Sequence, residues 1–486
     1  MSVEPPKAAP RESLLVFSDV HLGSDLNDHA KGAKRSRRID RDLVKLLEHY
    51  RSRPPGDTDA CERWRIVIAG DFIDFIGMSV DPTGPLATDL TEEERLHGLG
   101  NASDHAREKL RRVAKRHPEV LGALARFVAS GHALTIVHGN HDVEFHWEEV
   151  QADFRALLVQ HADVIGAEAD EFAARIDFNP WFFYWGGVAY IEHGHQYDPF
   201  CATENMMAPL SPLDPRRVAR GFSDVLLRYV VRPTMGLREH GHETKGALDY
   251  LAFGAHLGLR GMVQLGVRFV EAVVELFKLR RSYFTDAARA LREEHERRVA
   301  LLAEATRIGV DRIRALAALQ TPPITRSIRG ILASVLLDRL ALALGCSIAM
   351  FVTAVVMGLR SGHFLVPSLT IAFAWVLGHR YLARARQLDP AEQMAERANH
   401  LARLLPAAFV VMGHTHAPAE KPVADGTAKY INLGSWAEEE PDTGTDDNGD
   451  IAYHAARTHL VIHLRDGQAV GELREWDTQG PRKFMS

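Results

Sequence analysis

The chain has 486 residues, of which 46% are hydrophobic and 25% are charged, and these proportions exclude wholesale disorder. The formal net charge of −6 argues against non-specific binding of nucleic acid as the main activity. Three cysteines against 25 histidines exclude a disulfide framework and a thiolate zinc site. They indicate a reducing compartment and point any metal site towards nitrogen and oxygen ligands.

Residues 1–12 are polar and rich in proline, so we expect a flexible terminus without a secretory signal. Short apolar runs that end in polar residues follow, and they are typical of buried central strands. These runs are 14–17, 66–69, 134–137, 188–191, 409–412 and 430–433. Helical patterns over 41–50 and 107–129 separate several of them. The sequence therefore predicts a layered α/β core over 13–200 and 401–478.

The alternation of strands and helices stops at residues 201–400, which we predict to be a helical insertion. A charged amphipathic helix is expected over 286–316. Residues 340–359 and 364–378 are two runs without Asp, Glu, Lys or Arg, and the first is long enough to cross a hydrocarbon core of about 30 Å. With arginines on both flanks, a transmembrane hairpin with its ends in the cytoplasm is expected. The alternative is a buried helical pair in a cytosolic protein.

Five polar clusters each follow directly on a predicted strand. They are Asp19-Val20-His21, Gly70-Asp71-Phe72-Ile73-Asp74, Gly139-Asn140-His141-Asp142, His193-Gly194-His195 and Gly413-His414-Thr415-His416. Each cluster alone is a weakly specific signal. The carboxyl ends of strands in an α/β sheet converge on one edge, where such folds place their sites. Together the five clusters predict one site.

This set of clusters, in this order, resembles the calcineurin-like metallophosphoesterase superfamily over about residues 13–200 and 405–465. The resemblance implies a double β-sheet sandwich flanked by helices, with a site for two divalent metal ions. The implied ligands of the first ion are Asp19, His21, Asp71 and His416, and those of the second ion are Asp71, Asn140, His193 and His414. Asp71 would then bridge the two ions.

Simple chemistry agrees with this ligand set. Two divalent ions outweigh the negative charges of Asp19 and Asp71, so the centre would attract an anionic phosphoryl group and hold a bridging hydroxide. Histidine and carboxylate ligands without thiolate favour Mn, Fe or Zn, and the sequence leaves the choice among them open.

The resemblance also implies that His141 is a catalytic group that faces the phosphate rather than a ligand. Asp74 and Asp142 are both candidates for the carboxylate that orients it, and the alternative for Asp74 is that an Asp at the end of a strand often only caps a turn. His195 is a candidate for contact with the substrate or for support of a ligand.

A short basic run, which includes Arg35 and Arg38, follows the first cluster. These two arginines are candidate contacts to a substrate phosphate, because the loop that carries them starts at the predicted site. The simpler interpretation of such a run is a solvated surface.

The expected function is that of a metal-dependent phosphohydrolase that attacks a phosphoester or pyrophosphate with the bridging hydroxide. The insertion between the fourth and fifth clusters favours a lipid-linked substrate at the cytoplasmic membrane surface. The motif order is similar to that of UDP-2,3-diacylglucosamine diphosphatases, although His141 stands where they typically have Arg and the insertion is far larger. The alternatives are hydrolysis of a soluble phosphodiester, cyclic nucleotide or phosphoprotein, and a non-catalytic membrane scaffold. No nucleic-acid partner is expected.

Overall fold

The structure is a computed structural model, and it describes residues 12–27, 33–53, 63–234, 258–334, 337–358, 365–384, 390–445, 451–477 and 479–485. Most of the N-terminal segment predicted to be flexible, residues 1–11, lies outside the described residues. So does the link between the two uncharged runs, residues 359–364. The described chain is a mixed α/β fold with two multistranded sheets.

The strands in chain order are β1 (Glu12–Phe17), β2 (Arg63–Ala69), β3 (Ala133–Val137), β4 (Ile176–Asn179), β5 (Phe182–Trp185), β6 (Gly187–Glu192), β7 (Ala407–Met412), β8 (Ala419–Val423), β9 (Ala428–Asn432), β10 (Glu440–Thr445), β11 (Ile451–His454), β12 (Arg457–Arg465), β13 (Gln468–Asp477) and β14 (Gly480–Lys483). The first sheet has seven strands in the order β14-β13-β12-β1-β2-β3-β4, and the second has five in the order β5-β6-β7-β9-β8. Strands β10 and β11 form a separate pair.

The helices in chain order are α1 (Ala33–Arg51), α2 (Glu92–His97), α3 (Ser103–Arg116), α4 (Pro118–Ala129), α5 (Glu148–Ala162), α6 (Ala167–Ala173), α7 (Phe222–Leu226), α8 (Gly258–Ser282), α9 (Asp286–Thr306), α10 (Val310–Ala317), α11 (Ile328–Ser334), α12 (Leu337–Gly358), α13 (Leu365–Arg384) and α14 (Pro390–Leu404). A single π-helical turn, Leu227–Val231, continues α7.

The strands that carry the polar clusters run parallel within each sheet. Strand β2 pairs in parallel with β1 and β3, and β7 pairs in parallel with β6 and β9. The predicted strands fall within β1, β2, β3, β6 and β7, and the sixth corresponds to β9, which ends at Asn432. Parallel pairing brings the carboxyl ends of neighbouring strands to the same edge, and this places the clusters side by side.

The two sheets face each other across a shared apolar core. Val16 and Val67 of the first sheet belong to the same buried cluster as Ile191, Phe409 and Val411 of the second. Burial of one such side chain contributes roughly 1.5–3 kcal/mol. Helices cover the outer face of each sheet: α1, α3, α4 and α5 pack on the first, and α9, α10 and α14 pack on the second.

Two predicted helices are each divided in the structure. The pattern over 107–129 becomes α3 and α4, because Pro118 lacks an amide hydrogen and disfavours helical geometry at the residue before it. The pattern over 286–316 becomes α9 and α10, since Arg307 ends α9 in the left-handed region with φ of 56° and Gly309 precedes α10. Hydrophobic periodicity predicted both helical regions but not the break within each.

The apolar part of the insertion forms α12 and α13. Large side chains on both helices are exposed, for example Phe351 at 70% and Phe373 at 64%, so a buried pair does not describe them. Within the described part of the chain, no helix has both the length and the apolar character that a membrane crossing requires. This finding contradicts the predicted transmembrane hairpin and the membrane location that depended on it. Residue 359 of the first uncharged run and residue 364 of the second lie outside the described residues.

Candidate metal centre

The five polar clusters lie at the carboxyl ends of β1, β2, β3, β6 and β7, and backbone hydrogen bonds join them. The amide of His21 donates to the carbonyl of Asp71 over 3.0 Å. The amide of Gly413 donates to the carbonyl of His193, also over 3.0 Å. The second of these bonds connects the two parts of the core that the insertion separates in sequence.

Several of the predicted ligands share an unusual backbone conformation. Asp19, His21, Asp71, His414 and His416 have φ values between 51° and 67°. The left-handed region is uncommon for residues other than glycine, and such conformations cluster at functional sites where the surrounding structure enforces them. The fold therefore stabilises these loops in conformations that their own sequences disfavour.

Glycines in the clusters leave room for side chains of the neighbouring clusters. A Cβ atom on Gly70, whose φ is 87°, would lie 2.5 Å from the ring of His193. A Cβ atom on Gly139 would lie 2.1 Å from Asp71 Oδ1. The Gly-Asp and Gly-Asn pairs of the sequence are therefore explained by close packing of the His193 and Asp71 side chains on the backbone.

Asp19, His21 and His416 form a first group. His416 Nε2 lies 3.1 Å from Asp19 Oδ1. His21 Nε2 lies 4.0 Å from Asp19 Oδ1 and 3.7 Å from Asp71 Oδ2. Burial lowers the pKa of His21 to about 4, so the ring is neutral at pH 7. On its other side, His416 Nδ1 lies 2.8 Å from Glu438 Oε1, which leaves Nε2 directed at Asp19.

Asp71, Asn140 and His193 form a second group. His193 Nδ1 donates to the carbonyl of Ala69 over 2.9 Å. Its Nε2 lies 3.0 Å from Asn140 Oδ1 and 3.3 Å from Asp71 Oδ2. In a neutral ring Nε2 would carry a lone pair, so three acceptor atoms converge and require a cation or a proton between them. Burial lowers the pKa of His193, but Asp71 and Asp19 outweigh it and raise the pKa to about 9.

Asp71 contacts a histidine of each group. Its Oδ2 lies 3.7 Å from His21 Nε2 and 3.3 Å from His193 Nε2, while its Oδ1 accepts a hydrogen bond of 2.8 Å from the amide of His141. In both groups the histidine nitrogen and carboxylate oxygen atoms lie close enough to share an ion. These buried His and Asp side chains could therefore hold a metal ion, and their donor atoms suit one.

His414 lies beside the second group but faces another residue. Its ring centroid is 5.3 Å from that of His193. Its Nε2 lies 3.1 Å from Asp198 Oδ2, and these two side chains form a further group with Cys201. The amide of His414 donates to Asp19 Oδ2 over 3.2 Å. The structure thus brings the histidine to the site, with Nε2 directed at Asp198.

His141 is held by Asp74. Its Nδ1 lies 2.7 Å from Asp74 Oδ1, and its ring packs edge-on against that of His21 at 4.6 Å between centroids. Burial lowers the pKa of His141, but the carboxylates of Asp71 and Asp74 outweigh it and raise the pKa to about 10. Of the two carboxylates proposed from sequence, Asp74 is the one in contact with this ring.

Asp142 contacts backbone amides rather than the ring of His141. Its carboxylate accepts hydrogen bonds from the amide of Phe72 over 2.8 Å and from the amide of Gly139 over 2.7 Å. Burial, together with the nearby charge of Asp71, raises its pKa to about 7. Asp142 therefore links the loops of the second and third clusters to each other through their backbones.

The three residues proposed as substrate contacts lie outside the two groups of candidate metal ligands. Arg38 pairs with Glu439, with 2.5 Å between Nη2 and Oε2. Arg35 lies in the first turn of α1 and is half-buried. His195 is only 4% exposed, and its ring centroid is 5.4 Å from that of His193, so it packs behind a proposed ligand.

Sequence reasoning missed Asp198 and Glu438, the carboxylates that contact His414 and His416. Asp198 follows His195 by three residues, and Glu438 begins an acidic stretch of the sequence. The signal that could have found them is the chemistry of ligand histidines, which commonly donate their second ring nitrogen to a carboxylate.

Comparison with known proteins assigns neither a family nor a function to this chain. No protein-family model matches the chain, and no curated protein matches it.

Proposed function

We propose that this chain is a metallophosphoesterase that uses two divalent metal ions, Mn, Fe or Zn, to hydrolyse a phosphoester or pyrophosphate. The observation that supports the proposal is that Nε2 of His21 and Nε2 of His193 both lie close to Oδ2 of Asp71, at 3.7 Å and 3.3 Å. Asp19 and His416 complete the first set of ligands, and Asn140 and His414 complete the second. When bound, the ions would supply Lewis acidity towards the phosphoryl group and a nucleophile at neutral pH.

His141 is the side chain that acts on the substrate in this proposal. With Nδ1 held by Asp74 at 2.7 Å, the ring is oriented and its Nε2–H is available to a ligand. A cationic imidazole there stabilises negative charge on the phosphoryl group or donates a proton to the leaving oxygen. The ion pair with Asp74 fixes the orientation of the ring and favours its protonated form, as an oriented general acid needs.

The test is hydrolysis by purified protein that has been stripped of metal and reloaded with Mn, Fe or Zn. The substrates are bis-p-nitrophenyl phosphate, inorganic pyrophosphate and a lipid diphosphate in detergent micelles, so that soluble and lipid-linked phosphates are compared directly. We expect turnover to depend on added metal. No turnover of any substrate with any of the three metals would contradict the proposal.

The matched variants are Asp71→Asn and Asp425→Asn. Both remove one negative charge, but the Asp425 carboxylate is 88% exposed and pairs only weakly with Arg403 at 3.3 Å. Loss of the shared ligand should lower turnover by more than about 100-fold, which is the upper end of the effect of residues that merely support a ligand. Asp425→Asn should retain the activity of the parent.

A further inference from the structure

Asp198 is a buried carboxylate outside the five clusters. It follows the short helical turn His195–Tyr197 and is 1% exposed. Its Oδ1 accepts a hydrogen bond of 2.9 Å from the amide of Phe200, and its Oδ2 lies 3.1 Å from His414 Nε2. One carboxylate oxygen therefore fixes the orientation of Asp198, and the other faces the histidine.

This contact determines what His414 can offer to a metal ion. A carboxylate accepts hydrogen bonds, so Nε2 of His414 must carry a proton for the contact to be favourable. In the neutral ring the lone pair is then on Nδ1, because the two nitrogens of a neutral imidazole divide the donor and acceptor roles. The acceptor nitrogen of His414 is thus assigned by a residue that belongs to another loop.

We propose that Asp198 is a positioning residue that holds His414 in the tautomer and orientation needed to bind the second metal ion through Nδ1. The proposal rests on the proposed metal centre, but it concerns metal affinity and does not require that the substrate be identified. A parallel arrangement supports it: His416 Nδ1 lies 2.8 Å from Glu438 Oε1 while its Nε2 is directed at Asp19. Both histidines of the Gly413-His414-Thr415-His416 cluster therefore have a carboxylate on the ring nitrogen that is not needed for the ion.

The experiment is Asp198→Asn in the full chain, with bound Mn counted by elemental analysis and affinity measured by titration of Mn into metal-free protein. The asparagine keeps an acceptor for the amide of Phe200, but its amide group can donate to His414 Nε2 and thereby favours the wrong tautomer. We expect one ion to bind about 10–100-fold more weakly, the usual cost of losing such a supporting contact. Asp425→Asn, which makes the same change of charge at an exposed position, should bind both ions as the parent does.

A double-mutant cycle separates positioning from other roles. In the His414→Ala background, Asp198→Asn should cause no further loss of affinity, because a positioning residue acts only through its histidine. Asp198→Glu, which restores a carboxylate, should recover part of the affinity, and it also covers the case in which Asp198→Asn does not fold. Unchanged affinity in Asp198→Asn would overturn the proposal. An equal loss in both backgrounds would also overturn it, because Asp198 would then be a ligand itself, together with Cys201, or a residue needed only for folding.

Failure of this proposal and failure of the proposed function can be told apart. If the parent binds two ions but hydrolyses no phosphate substrate, the proposed function fails, and the affinity measurements still decide the role of Asp198. If the parent hydrolyses the substrates and Asp198→Asn binds metal normally, only the positioning role fails.

Discussion

The carboxylate of Asp71 is enclosed by backbone on one side and by histidine rings on the other. Its own backbone is left-handed, with φ of 53°, and Gly139 packs against its Oδ1. The amide of His141 donates to that same oxygen. These contacts leave Oδ2 to face the two histidines of the proposed centre. The position of this one oxygen atom therefore depends on the absence of a side chain at residue 139.

Gly139→Ala tests that dependence. The new Cβ atom would lie 2.1 Å from Asp71 Oδ1, so the carboxylate must move. We expect metal affinity to fall about 10-fold or more, since a displaced ligand costs at least as much as a lost supporting contact. Titration of Mn into the metal-free protein measures the change. Gly84→Ala is the control, because a Cβ atom there meets nothing within 4 Å. Parent-like affinity in Gly139→Ala would show that Asp71 is not confined in this way.

His141→Gln tests the proposed catalytic group separately from the ligands. Loss of a positioned acid–base residue typically lowers kcat by about 10²–10⁴-fold. We expect a decrease of that size with the metal content unchanged, since His141 is not among the proposed ligands. Steady-state kinetics with elemental analysis of the same sample would measure both. A variant that loses its metal together with its activity would instead place His141 among the ligands.

Single contacts between elements matter as well as those within the site. Tyr50, near the end of α1, has its hydroxyl 2.8 Å from Nε2 of His459 on β12. His459 is fully buried, and burial lowers its pKa to about 3. The contact therefore joins a helix to the sheet through a histidine that remains neutral over most of the pH range in which the fold is stable.

This histidine predicts a dependence of stability on acid. The unfolded chain, with a pKa near 6.5, binds more protons than the folded chain between about pH 6.5 and pH 3, so stability falls as the pH falls through that window. Between pH 7 and pH 5 the loss from this group is about 2 kcal/mol. Urea unfolding of His459→Gln should show a smaller loss over that interval, and the exposed His161→Gln should behave as the parent. An equal loss in His459→Gln would contradict the assignment.

At the element scale the sequence predicted more about strands than about helices. Each cluster was placed after a strand because short apolar runs that end in polar residues are typical of buried strands. The breaks at Pro118 and Arg307 were missed because apolar periodicity continues across them. The carboxylates Asp198 and Glu438 were missed for another reason: their role arises from tertiary contacts with His414 and His416, and no local pattern records such contacts.

At the scale of the whole molecule, the insertion is anchored to the core by buried ion pairs. Arg217 Nη2 lies 2.8 Å from Glu94 Oε2, and the side chain of Glu94 is fully buried. Burial raises the pKa of Glu94, but Arg217 and the amide of Thr91 outweigh it and lower the pKa to about 2. The carboxylate is therefore charged, and Arg217 compensates that charge. The start of the insertion is fixed against α2 by this contact.

Arg217→Met should destabilise the protein by about 3–5 kcal/mol, because it leaves the charge of Glu94 buried without its partner. Arg216→Met is the matched control: this neighbouring arginine is 62% exposed and pairs with Asp214, so a change within about 0.5 kcal/mol is expected. Urea unfolding measures both variants. Similar small effects in the two variants would show that the pair does not anchor the insertion.

Sequence patterns predicted the polar clusters at the strand ends better than they predicted the insertion. The five clusters were recognisable because their residue types and order were sufficient to place them at one edge of the sheets. The uncharged runs of the insertion predicted a transmembrane hairpin, which the described helices contradict. The apolar composition of a run does not by itself establish that the helix that carries it crosses a membrane, whereas a polar cluster depends on only a few residues after a strand.

The most direct test of the central claim is anomalous diffraction from crystals of the protein loaded with Mn. The proposed centre predicts two anomalous peaks on opposite sides of the Asp71 carboxylate, one beside His21 and His416 and the other beside His193 and His414. The two peaks should lie about 3.5–4 Å apart, as in other two-metal hydrolytic sites. No peak at Asp71, or peaks that do not contact it, would contradict the claim.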